Sequence, residues 1–168
     1  MLIVSSLERA MEAYKTYSPT HIISILSEDE PRPLFPGLEP SQHLKLYVSS
    51  EHGGPDHAKT ASDRTNLIID TFEDWDSSGN VLIHCAKGVS RSMAAAFVLL
   101  CMLSPKSSEK EIAQQLREAA PHAEPCLFMI DHADERLGRD CRMFDAINDL
   151  PPSSTTIDAP IVLLSAAA

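Results

Sequence analysis

The 168-residue chain carries 14 Lys and Arg against 24 Asp and Glu, a formal net charge of −10, with 43% hydrophobic residues. That charge argues against a general nucleic-acid binder, whose affinity rests on neutralising phosphates, but not against an anionic substrate held in a locally positive pocket. The length suits one domain with a real core. No apolar run reaches the ~20 residues that span a bilayer, and no signal-peptide pattern opens the chain, so no membrane role and a cytoplasmic location are expected.

In chain order, residues Leu2 to Ser6 and His21 to Ser27 read as short buried strands, with a helix in LERAMEAYK between them. The prolines at 31, 33, 36 and 40 make residues 28–41 a loop. HLKLYV (43–48) alternates and predicts a third strand, followed by a glycine-rich loop, EHGGPDHA, over residues 51–58. Leu67, Ile68, Phe72 and Trp75 recur at helical spacing over about 62–75. NVLIHC (80–85) is a fourth strand, and RSMAAAFVLLCML (91–103) is a helix too apolar to be anything but buried. Ser108 and Glu111 form a capping-box pattern opening a helix with Ile112, Leu116 and Ala119 on one face. A last helix is expected over about 127–148, weakened at Gly138, with Ile130, Ala133, Leu137, Cys141 and Phe144 on its apolar face. Strands interleaved with helices predict an α/β domain over residues 1–150, with a mainly parallel central sheet of about four to five strands flanked by helices. Residues 151–168 form a tail that begins as a linker and ends in the β-prone IVLL, which either docks as an edge strand or stays disordered.

The cysteines, at 85, 101, 126 and 141, show neither CxxC nor zinc-ligand spacing, so no metal site and no disulfide framework are expected. Cys101 and Cys141 read as packing residues. Cys85 stands apart. In VLIHCAKGVSRSMAAAF a buried strand ends at Cys85, five residues turn, and a helix begins near Arg91. The thiol therefore lies beside a helix N-terminus, where unpaired amides and the macrodipole favour an anion. The turn Ala86, Lys87, Gly88, Val89, Ser90 can wrap its N–H groups around a phosphate, with Gly88 supplying a conformation denied to bulkier residues. Arg91 can bind two oxygens of the same anion, and Ser92 can hydrogen-bond the sulfur. By chance the whole pattern arises in roughly one such chain in a thousand.

The residues HCAKGVSRS resemble the signature of the protein tyrosine phosphatase superfamily, and CxxGxSRS in particular its small dual-specificity branch. The resemblance extends to the order of elements over about residues 20–148. It implies a metal-free enzyme without a cofactor. Cys85 would form a phosphocysteine, Arg91 would hold the phosphoryl group, Ser92 would ease breakdown of the intermediate, and His84 would orient the loop. Residues 86–91 would bind substrate, a phosphorylated protein or other phosphomonoester. Phosphotyrosine is the first expectation, with phosphoserine or phosphothreonine next.

The resemblance also implies a general acid on a loop upstream of Cys85, worth about 10²–10⁴-fold. In the dual-specificity branch it follows the preceding strand closely, near Ser50 or Glu51, and serine cannot serve. Gly54-Pro55-Asp56-His57 looks like the Trp-Pro-Asp loop of larger relatives with its tryptophan replaced. The expectation is therefore Asp56, then Glu51, then Asp63 near a helix start. After Pro125, relatives often carry an asparagine that braces the loop. Here Cys126 stands there, and a Cys85–Cys126 disulfide would protect or silence the nucleophile if the two approach. Two rival readings are a pseudophosphatase or phosphoprotein-binding module with little turnover, and a sulfur- or arsenate-handling thiol enzyme. The mid-chain position of the motif disfavours the second.

Overall fold

The computed structural model describes residues 1–48, 55–75 and 78–166, and the side chains of all of these except residues 55–60. Five strands, β1 (Leu2–Ser6), β2 (His21–Ser27), β3 (His43–Val48), β4 (Val81–Cys85) and β5 (Val162–Leu164), form one sheet in the order β3-β2-β4-β1-β5. The first four run parallel, and β5 pairs antiparallel with β1. The runs LIVSS and VLIHC lack a polar alternation because both faces of their strands are covered and every residue in them is buried.

Six α-helices are present among the described residues: α1 (Ala10–Tyr17), α2 (Pro55–Phe72), α3 (Arg91–Leu103), α4 (Glu109–Ala119), α5 (Leu127–Arg136) and α6 (Arg142–Asn148). Helices α2 to α6 bury the main core against one face, with Ile23, Ile25, Val81 and Ile83 of the sheet meeting Met93, Phe97 and Ile130. Each such large side chain contributes roughly 1.5–3 kcal/mol. The other face is thinner. There α1 and the proline-rich loop cover Ile3, Ile22 and Leu82, with Phe35 of the loop as the plug.

Helix α3 is buried from Ser92 through Cys101, as its composition demands. The α4 capping box forms, Glu111 N–H donating to Ser108 Oγ at 3.2 Å and Ser108 N–H to Glu111 Oε2 at 2.9 Å. Ile112 and Leu116 face inward, but Ala119 is exposed and Ala113 takes the buried position.

Three expectations need correction. The single helix over 127–148 is two, broken at residues 137–141, where Gly138, Asp140 and Cys141 all have positive φ. The break is held by Asp134, whose buried carboxylate accepts the N–H groups of Cys141 (2.7 Å), Met143 (2.6 Å) and Phe144 (3.2 Å). Cys141 consequently lies exposed at the start of α6 rather than on an apolar face. Finally, α2 begins at Pro55, seven residues earlier than the apolar spacing suggests, with proline in its favoured first-turn place. The tail docks: residues 162–164 form the edge strand β5.

Strand β4 lies between β1 and β2, so the chain order reverses around it. In parallel α/β sheets the crevice at the C-terminal ends of such strands is where ligands bind. Here those ends bring Ser6, Cys85 and Ile25 into one row across the sheet, with Leu46 next along on β3.

Candidate active site

Strand β4 delivers Cys85 to that crevice, and residues 86–90 turn without regular structure into α3. The turn is pinned on two sides. Leu7 N–H donates to Ala86 O at 3.2 Å, and Glu124 N–H donates to Val89 O at 2.9 Å. Each of these carbonyls is taken up by a neighbouring segment, so the planar trans peptide turns the following N–H groups, of Lys87 and Ser90, away from those segments. Gly88 carries φ +70°, and a Cβ there would lie 2.7 Å from Ser6 N and 2.8 Å from Ser5 C. Both the conformation and the contact with β1 require glycine. Lys87 is exposed, while Ala86, Val89 and Ser90 are half-buried.

Cys85 is buried, and its Sγ lies 3.1 Å from Ser92 Oγ in the first turn of α3. Arg91 returns toward the turn. Its Nη2 lies 3.6 Å from Glu30 Oε1, and its buried Nη1 has no hydrogen-bond partner among the described residues. A buried guanidinium N–H without a partner is costly, which suits a group that receives an anion. Glu30 is held in place by Ser27 N–H, which donates to Oε2 at 2.5 Å.

His84 is fully buried. Its Nε2 lies 2.6 Å from Ser24 Oγ, and Ser24 Oγ lies 2.8 Å from Nε2 of His43. Burial, and then the neighbouring His43, push the His84 imidazolium down to about 3, and burial followed by Lys45 pushes His43 down to about 4. Both rings are therefore neutral near pH 7, where a single hydroxyl can donate to one and accept from the other. The neutral pair fixes the last strand residue before Cys85 in place.

The sequence-expected residues Cys85, Arg91, Ser92, His84 and the 86–90 turn are thus brought together. The acid candidates are placed unevenly. Asp56 falls in the first turn of α2 rather than in a free loop, Asp63 is exposed in the middle of that helix, and Glu51 lies outside the described residues, as does Ser50. All four cysteines are free thiols, and Cys126, half-buried at the start of α5, sits near enough to Arg64 to act on its charge. Sequence reasoning missed Ser24, His43, Glu30 and Arg64. Ser24 was findable as the inward hydroxyl of an apolar strand, but the other three meet the site through pairings between distant segments. Arg64 is buried, donates from Nε to Tyr47 O, and is held below its usual range by burial and then by Arg91.

No group of three or more His, Cys, Asp or Glu side chains able to hold a metal occurs among the described residues, and none of their helices is long and apolar enough to cross a membrane. No family model and no curated protein sequence matches the chain. Solved structures do. The chain is similar to DUSP15 at 18% identity and a TM-score of 0.60, covering 91% of this chain and 94% of that one. It is similar to the human tyrosine phosphatase-like serine/threonine/tyrosine-interacting protein at 18% identity and a TM-score of 0.58, covering 83% and 92%. It is also similar to PTPMT1, solved in complex with PI(5)P, at 14% identity and a TM-score of 0.58, covering 83% and 94%. The fold is that of the small dual-specificity phosphatases.

Proposed function

We propose that this chain is a cysteine-dependent phosphatase that hydrolyses phosphomonoesters through a phosphocysteine intermediate. The observation that carries the reading is the Cys85–Ser92 contact of 3.1 Å beside the unpartnered Nη1 of Arg91, on a turn whose glycine no other residue can replace. Cys85 attacks phosphorus, the S–P bond forms, and the ester P–O bond breaks. The N–H groups of the turn and the Arg91 guanidinium neutralise the charge spread over the equatorial oxygens. The leaving oxygen takes a proton from an upstream carboxyl group, for which Asp56 at the head of α2 is the first candidate and Glu51 the second. Water, giving its proton to that same carboxylate, then attacks the phosphocysteine; the S–P bond breaks, inorganic phosphate is released, and the Ser92 hydroxyl stabilises the departing thiolate.

A phosphorylated protein is the substrate class favoured here, phosphotyrosine first and phosphoserine or phosphothreonine next. The test is hydrolysis of 4-nitrophenyl phosphate by the full chain. Turnover lost in Cys85→Ser and reduced more than a hundredfold in Arg91→Lys is expected, because a point charge cannot replace a bidentate fork. A second reading is a phosphoprotein-binding module with little turnover. It is favoured by Ser50, which stands where a dual-specificity acid is expected. Retained phosphopeptide binding with no turnover by the unmodified chain would select it.

A further inference from the structure

On the thin face of the sheet, the side chains of His43, Lys45 and Tyr47 point away from the main core, whose side of β3 carries Leu44, Leu46 and Val48. The loop that follows β2 folds over this row and closes a cavity of about 210 Å³. Leu26, Pro33 and Leu34 give it an apolar lining, and Arg32, Lys45 and Tyr47 give it polar walls. The Arg32 guanidinium lies 4.4 Å over the Tyr47 ring. Such stacking holds the fork flat and presents its N–H edge to an anion.

Two features tie this cavity to the Cys85 turn. Ser24, which lines the cavity, meets Nε2 of His84, the residue before Cys85, at 2.6 Å, and the β3 and β4 backbones at Leu46 and Cys85 are two strand spacings, about 10 Å, apart. The loop that carries Arg32 also carries Glu30, whose carboxylate lies 3.6 Å from Arg91. The electrostatics are unusual for this chain. It has a net charge of −10, yet neither Arg32 nor Lys45 forms an ion pair among the described residues. Two uncompensated cations over an apolar floor match a side chain with a hydrocarbon stem and an anionic end.

We infer that this cavity is a specificity subsite that takes an acidic side chain of a phosphorylated peptide, about three residues from the phosphorylated one. An extended chain covers the 10 Å span in about three residues, which favours a peptide over a single ring carrying both anions. The inference rests on the Cys85 turn being the phosphate site.

The experiment measures binding in a Cys85→Ser background, so that it does not depend on turnover. Fluorescence anisotropy compares pairs of phosphotyrosine peptides that differ only in Glu against Gln, three residues before or three residues after the phosphotyrosine. One pair should show about tenfold tighter binding of the Glu peptide. Adding Arg32→Gln and Lys45→Gln should bring that ratio near one, and Lys45→Glu should invert it. A ratio near one in both pairs for the Cys85→Ser protein overturns the subsite, as does a ratio unchanged by the Gln or Glu variants. A preference that depends on Arg32 and Lys45 only for a bisphosphorylated inositol headgroup overturns the peptide assignment. Turnover of 4-nitrophenyl phosphate by the unmodified chain is read separately, and its absence counts against the phosphatase reading alone.

Discussion

Lowering the pH from 7.5 to 5.0 should destabilise the protein in a way that traces to one buried ring. The His84 imidazolium is pushed down to about 3 in the folded chain, chiefly by burial and then by His43. In the unfolded chain the same ring titrates near the ordinary value of about 6.5. Between these two values the unfolded state binds a proton that the folded state refuses. Stability is therefore complete above about pH 6.5 and falls as the pH drops through that value, levelling only near pH 3. Each pH unit well inside the window costs about 1.4 kcal/mol, so the drop to pH 5.0 costs about 2 kcal/mol from His84 alone. His43, pushed down to about 4, acts in the same direction but is half-exposed, and solvent screening reduces its share. Urea unfolding followed by the single tryptophan, Trp75, measures the effect. His84→Gln keeps a group that can meet Ser24 but has nothing to titrate in this range. Its loss between pH 7.5 and 5.0 should be smaller than that of the unmodified protein by about 2 kcal/mol. Equal losses in the two proteins would refute the buried, neutral His84.

Gly88→Ala should destabilise by about 2–5 kcal/mol, summing the left-handed backbone penalty and the overpacking against Ser5 and Ser6, and should abolish turnover. A melting temperature within two degrees of the parent, roughly the reach of a ΔΔG below 1 kcal/mol, would contradict the close contact with β1. Asp134→Ala should cost about 3 kcal/mol in urea unfolding, since one buried and two part-buried N–H groups lose a charged acceptor, while an unchanged midpoint would leave the α5–α6 break without its explanation. Asp56→Asn should lower kcat about 10²-fold or more for alkyl phosphates and little for activated aryl phosphates, and the same pattern in Glu51→Gln instead would move the acid to residue 51.

Much of this molecule could be read from local pattern. The ends of β1, β2 and β3 and of α3 follow from short apolar runs and their breakers, and the Cys85–Ser92 turn is contiguous, so its geometry is encoded within eight residues. What escaped the sequence depends on contacts between distant segments. The break at Gly138 was visible only as a weak point, because the Asp134 carboxylate that stabilises the alternative to a continuous helix reads as one more surface acid. The start of α2 was hidden because PDHAKTASD lacks an apolar stripe, although Pro55 is itself a helix-start signal. Glu30 lies in the acidic run SEDE and reads as solvated, yet the turn after β2 aims it at Arg91. His43 and Ser24 are 19 residues apart, and only the register of β2 with β3 and β4 joins them to His84.

The central claim is a covalent bond between phosphorus and one sulfur. Acid quenching during turnover of 4-nitrophenyl phosphate, followed by mass spectrometry of the proteolytic peptides, reads it directly. The account predicts a phosphate on the peptide carrying Cys85, absent from Cys85→Ser and from the peptides of Cys101, Cys126 and Cys141. Sustained turnover with no phosphate on Cys85, or turnover surviving Cys85→Ser, would contradict it.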